Sequence, residues 1–97
     1  MTRLVIRYKV KPAQVATNEQ LVRDVYAELA RARPDGLRYA TFKLGDGVSF
    51  VHLAEHGADP LRQVEAFHRF QDGIRDRCDE QPVVAELEEI GSYRFFE

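Results

Sequence analysis

The chain has three histidines, His52, His56 and His68, and one cysteine, Cys78. Their side chains can transfer protons, bind metals or attack electrophiles. The stretch "HLAEH", His52 to His56, fits the inverted zincin spacing His-x-x-Glu-His. That spacing serves a metal on a helix, where residues four apart lie ~6 Å apart on one face. On a strand the same residues stand about 13 Å apart, too far to share a zinc ion. Val48, Phe50 and His52 alternate as a strand does, so no metal site is expected.

The stretch "EAFHRFQDGIRDRC", Glu65 to Cys78, sets His68 at the edge of an apolar helical stripe, near Leu61, Asp72 and Arg75. In one reading Asp72, one turn on, orients His68 to take a proton from a phenol or enol at a cavity mouth. In the other, His68 is a boundary residue paired with Asp72 at i,i+4, which is the commoner arrangement. Cys78 has Arg75 and Arg77 nearby, but Asp76, Asp79 and a helix C-terminus oppose a reactive thiolate, so a buried structural thiol is favoured.

Tyr39, Phe50 and His52 share one face of a hairpin, and Phe67 heads the apolar stripe of the second helix. Aromatic walls with one or two polar groups suit a small aromatic ligand, and they equally suit a partly polar interface. His68 and His52 are therefore the candidate catalytic residues. Arg7, Tyr39, Phe50 and Phe67 are the candidate ligand-binding residues. Arg7 could hold an anionic oxygen, although cross-strand pairs of Arg7 and Lys9 with Glu86 and Glu88 explain those charges without a ligand. No phosphate loop or Ser-His-Asp pattern is evident.

These side chains need elements to position them. "RLVIRYKV" alternates Leu4, Ile6, Tyr8 and Val10 against Arg3, Val5, Arg7 and Lys9, a strand pattern. Thr17 and Gln20 have capping-box spacing, and a helix follows with Leu21, Val22, Val25, Leu29 and Ala32 as its buried stripe. Arg31 and Arg33 suit its last turn, and Pro34 and Gly36 end it. "LRYATFKLGDGVSFVHLAEH" reads as a hairpin about a primed Asp46-Gly47 turn. A second helix is expected from about Leu61 to Cys78, then a strand in "VVAELEEI", a bend at Gly91 and a terminal strand in "SYRFF". The order β-α-β-β-α-β over residues 1–97 makes one ferredoxin-like α+β domain. Its four-stranded antiparallel sheet has the first and third strands central, both helices on one face, and a C-terminal strand added.

Composition narrows the function. The 97 residues are 44% hydrophobic and 31% charged, with a net charge of −2 and charges scattered along the chain. That excludes the basic face of a nucleic-acid binder and a polybasic membrane surface. "DGVSFVHL" has the spacing of an RNA-recognition strand, but it lacks the second stacking aromatic and the basic residue. No run approaches the ~20 apolar residues of a membrane span. "MTRLVIRYK" has too short an apolar run for a signal peptide, and a lone cysteine fits a reducing compartment. The expectation is a soluble, cytoplasmic protein.

Helices on one face leave the other uncovered. Leu4, Ile6, Tyr8, Ala40, Phe42, Val51, Leu53 and Leu87 form a coherent helix-facing layer. The reverse layer then holds Val5, Arg7, Lys9, Tyr39, Thr41, Val48, Phe50, His52, Val84, Glu86 and Glu88. That layer is too apolar for water, since each large side chain buried is worth roughly 1.5–3 kcal/mol. A second copy is expected to cover it, with the tail strand reaching the partner.

The element order, with "AFHRF" in the second helix after "GVSFVHLAEH", resembles the dimeric α+β barrel superfamily and its antibiotic-biosynthesis-monooxygenase-like family. The resemblance spans nearly the whole chain. It implies a homodimer with a cavity for a small aromatic or apolar ligand. It also implies the cofactor-free oxidation of a hydroxylated, quinol-like aromatic that some relatives perform. Others bind or degrade haem, and a non-catalytic ligand-binding module or a filled structural barrel are the alternatives. Ala66 stands where monooxygenase relatives commonly have histidine, and the chain lacks the tryptophan that haem-degrading relatives use.

Overall fold

A computed structural model of the protein describes residues 1–95. Strand β1 spans Thr2–Val10, and a single 3-10 turn, Pro12–Gln14, leads into helix α1, Val15–Ala32. Strands β2, Leu37–Lys43, and β3, Ser49–His56, form the hairpin. A second 3-10 turn, Pro60–Gln63, precedes helix α2, Glu65–Gln71, a short helix α3, Ile74–Arg77, and strand β4, Cys78–Glu86. All pairings are antiparallel and the sheet order is β2-β3-β1-β4, the ferredoxin-like arrangement with β1 and β3 central. Helices α1 and α2 pack on one face of this sheet.

Several local expectations change. Helix α1 begins two residues before Thr17, and Gln14 caps it without a side-chain bond, so the capping box does not form. The second helix breaks in two because Asp72 is extended and Gly73 is left-handed, φ 77°. Arg77 makes that break tolerable: its guanidinium donates to the carbonyls of Phe70 and Asp72, which a continuous helix would have bonded itself. Strand β4 therefore starts at Cys78, earlier than expected. Pro82 lies in it where the β1 register slips, between the pairs Arg7–Val83 and Lys9–Glu80. A residue without an N–H fits an irregular edge strand. No strand forms over Ser92–Phe95, and Phe96 lies outside the described residues.

The hairpin register centres on Asp46-Gly47, but only Gly47 has positive φ, 77°. The Gly47 N–H donates to the Leu44 carbonyl, and Asp46 accepts from the Val48 and Ser49 N–H groups and the Ser49 hydroxyl. The turn is therefore an ordinary one followed by a left-handed glycine, not a primed one.

The largest correction concerns faces. Tyr39, Thr41, Phe50 and His52 do share one side of the hairpin, but that side faces the helices. The cross-strand pairs Tyr8–Phe50, Ile6–His52 and Leu4–Ala54 decide this, because paired residues point the same way. Val84 and Glu86 likewise join Ile6 and Leu4. The open face then carries Val5, Ala40, Phe42, Val51, Leu53, Val83 and Ala85, with Arg3, Arg7, Lys9, Arg38 and Glu55 among them. Both sets are apolar enough to face a core, so period-two patterning alone leaves the choice open. The expected pairs of Arg7 and Lys9 with Glu86 and Glu88 do not form: Lys9 lies 3.9 Å from Glu80, and Arg3 pairs with Glu55 and Glu89.

Candidate functional site

At the centre of the helix-covered face stands His52, 3% exposed. Its Nε2 lies 2.8 Å from the Tyr8 hydroxyl. Its Nδ1 lies 2.6 Å from the Tyr39 hydroxyl and 3.1 Å from the Thr41 hydroxyl. The chain of bonds continues both ways. Asn18, on α1, donates its amide to the Tyr8 oxygen at 2.9 Å, and the Arg77 Nε donates to the Asn18 Oδ1 at 3.2 Å. On the other side the Tyr26 hydroxyl lies 2.7 Å from that of Thr41. Among the described residues no buried side-chain nitrogen or oxygen lacks a partner.

Aromatic rings wall this network. Tyr8 stacks on Phe50 with centroids 5.5 Å apart, Phe70 lies 5.3 Å from the His52 ring, and Phe67 meets Tyr39 edge-on at 6.4 Å. Burial in this apolar cage disfavours charge on its members. It pushes the His52 imidazolium down to about 4, so the ring is neutral at physiological pH. Burial also raises the Tyr8 and Tyr39 hydroxyls well above the usual phenol range and lifts Tyr26 to about 12. Arg77 is lowered by burial, and its guanidinium carbon sits 5.5 Å over the Phe70 ring.

The structure brings His52, Tyr39, Phe50 and Phe67 together and leaves His68 and Arg7 elsewhere. His68 is exposed on α2, and its Nε2 lies 2.6 Å from the Arg62 carbonyl oxygen rather than against Asp72. It borders an open surface hollow shared with Glu65, Arg69, Gln71 and Asp72. Arg7 is on the open face between Val51 and Val83, beside a hollow of about 100 Å³ at the β1–β4 irregularity. Cys78 is buried, and burial raises its thiol. Sequence reasoning missed Asn18 and Arg77. Asn18 carries a signal, since it extends the stripe of Val22, Val25 and Leu29 by one turn and interrupts it with an amide. Arg77 carries none, because arginine is ordinarily a surface residue.

No helix of the described residues is long and apolar enough to cross a membrane. Neither a family model nor a curated protein matches the sequence. Solved structures do match. An antibiotic biosynthesis monooxygenase is similar with a TM-score of 0.69 at 20% identity, over 94% of this chain and 100% of that one. A variant of SnoaB, a cofactor-independent oxygenase from Streptomyces nogalater, is similar with a TM-score of 0.68 at 19% identity, over 97% of each chain. A conserved protein from Methanosarcina mazei is similar with a TM-score of 0.71 at 15% identity, over 91% of each chain. The chain therefore has the ferredoxin-like α+β fold of the antibiotic-biosynthesis-monooxygenase proteins.

Proposed function

We propose that the protein is a homodimer that binds a small hydroxylated aromatic between its sheet and helices, and oxygenates it without a cofactor. The observation that carries this reading is His52: a neutral imidazole enclosed by aromatic rings, with two hydroxyls competing for one ring nitrogen. Thr41 also bonds the Tyr26 hydroxyl, so a ligand oxygen can take its place at Nδ1 and leave Thr41 paired. Tyr26, Tyr39 and Phe67 are only partly buried, which supports entry from the α1, α2 and β2 side. A phenol held there as its anion would give its electrons to dioxygen at a ring carbon. Loss of water on breaking the O–O bond then leaves the quinone, so phenol plus O₂ balances quinone plus H₂O.

The open face supports the dimer. It carries Val5, Ala40, Phe42, Val51, Leu53, Val83 and Ala85, interrupted by charged side chains such as Arg7, with Phe42 43% and Val83 68% exposed in the single chain.

Oxygen uptake with a panel of naphthols and hydroquinones tests the reading. The wild type should consume oxygen and form quinone, His52→Phe should lower the rate about a hundredfold, and His68→Gln should leave it unchanged. Wild-type uptake no faster than the uncatalysed oxidation overturns the oxygenase. Saturable ligand binding without uptake would favour a binding module instead.

A further inference from the structure

The hydrogen bonds around His52 have a direction, and it is set at the far end of the network. Arginine has five donors, no acceptor and no accessible neutral form. Arg77, 7% exposed, has no carboxylate within ion-pair distance among the described residues, and donates to Asn18, Phe70 and Asp72 oxygens only. Its Nε therefore requires the Oδ1 of Asn18, which turns the Nδ2 of Asn18 toward Tyr8. The Tyr8 oxygen accepts from that amide, and its own proton has one partner left, the Nε2 of His52. Were Nε2 to carry the proton, the Tyr8 hydroxyl would be a buried donor with no acceptor. That arrangement costs about 1–3 kcal/mol, roughly a five- to 150-fold preference for the other. Nε2 thus accepts, and the imidazole proton lies on Nδ1, aimed at the Tyr39 and Thr41 oxygens.

We infer that Arg77 and Asn18 are positioning residues that fix His52 as the neutral Nδ1–H tautomer, so that the interior presents a hydrogen-bond donor to a ligand bearing a phenolate or enolate oxygen. The ligand half of this inference rests on the small-molecule reading above, whereas the tautomer half does not. With Nε2 occupied by Tyr8, His52 holds the ligand's oxyanion; it does not remove the ligand's proton. The two oxygens it now faces stand where that oxyanion would sit.

Nitrogen-15 shifts of His52 at neutral pH, from the ligand-free wild type, give the tautomer directly. Nδ1 should be protonated and Nε2 bare. A proton on Nε2 overturns the assignment. Asn18→Asp keeps the shape, pairs with Arg77 and can no longer donate, so the Tyr8 hydroxyl turns to the new carboxylate and the His52 proton moves to Nε2. An unchanged tautomer in that variant overturns the role of Asn18. Tyr8→Phe is the second test: Nε2 loses its donor, and its shift should move while Nδ1 stays protonated or the two forms mix. An Nε2 shift identical to wild type counts against the Tyr8 link. Adding 4-nitrophenol to the wild type should bind nitrophenolate beside a still-neutral imidazole. An imidazolium appearing on binding makes His52 a base and overturns the donor role. If the probe does not bind, the ligand half fails and the tautomer result stands separately.

Discussion

The helix-covered face of the sheet carries Tyr8, Tyr39, Thr41 and His52 at its centre, whereas the open face carries Val5, Val51, Leu53, Phe42 and Val83. Burial energetics for a solitary domain would place these sets the other way round, since polar groups cost free energy to bury and apolar groups to expose. The covered face offsets its cost by pairing every buried side-chain nitrogen and oxygen among the described residues. Such a network gains little stability over an apolar core, and its value lies in fixing where donors and acceptors point. On the open face apolar side chains stay exposed in the single chain, Val83 among them. One face thus holds a directed hydrogen-bond network and the other exposed apolar side chains.

The largest effect is expected where that separation is attacked from outside. Leu53 stands on β3 with its side chain on the open face, opposite Val5 and Ala40. Leu53→Glu would put one unpaired carboxylate per subunit into the apolar interface, costing several kcal/mol each. Sedimentation velocity should show a wild-type dimer and a variant whose dissociation constant is raised more than roughly a hundredfold, with a native circular dichroism spectrum. A wild type that sediments as a monomer at micromolar concentration removes the second copy from the comparison.

A smaller and more specific effect belongs to the covered face. Burial depresses His52 to about 4 in the folded chain, against 6.5 when exposed. Between those values the unfolded chain takes up a proton that the folded chain refuses, so stability falls as pH drops from about 6.5 to 4. The loss amounts to roughly 3 kcal/mol, and His52 adds none above or below that window. Glu19, Glu28 and Asp46 are held below their ordinary carboxylate values, Glu19 and Asp46 chiefly by side-chain hydrogen bonds and Glu28 by the Ala66 amide. Their contributions are complete above about 4.5 and disappear only under more acid conditions. Urea denaturation from pH 7 to 4.5 should therefore show a slope in the wild type that largely flattens in His52→Gln. Equal slopes in both proteins would place the charge-refusing group elsewhere.

The element order, the strand order and the grouping of Tyr39, Thr41, Phe50 and His52 were all legible in the sequence, because alternation and turn residues are local signals. Which way that group points was not. It depends on whether Tyr8 pairs with Phe50 or with a neighbour one residue away, and a one-residue slip exchanges the two faces. With valine, leucine and phenylalanine on both sides, hydrophobicity does not choose. Arg77 was illegible for another reason. It is buried because the chain breaks at Gly73 and leaves the Phe70 and Asp72 carbonyls to be satisfied; Asp72-Gly73 marks the break locally, but no local pattern marks Arg77 as its repair. His52 was a candidate catalytic residue from the start, but on the face expected to meet a second copy rather than inside a core network.

The smallest effect tests whether the cover of the polar face is a unit of its own. Helix α2 has no side-chain cap from Val64, and its first amides, of Glu65 and Ala66, donate instead to the Glu28 carboxylate on α1 at 3.0 and 2.9 Å. The first N–H groups of a helix have no partner within it, so Glu28 supplies from a neighbouring helix what the sequence before α2 lacks. The same helix lays Ala66, Phe67 and Phe70 over the site. Glu28→Gln keeps an acceptor but removes the charge that suits a helix N-terminus. Amide exchange at Glu65 and Ala66 should accelerate by a few fold, with Tyr8 and His52 unchanged, because opening α2 leaves the sheet ladder intact. If the Tyr8 and His52 amides accelerate equally, α2 does not open by itself. A ligand for the covered face would then need the whole domain to open.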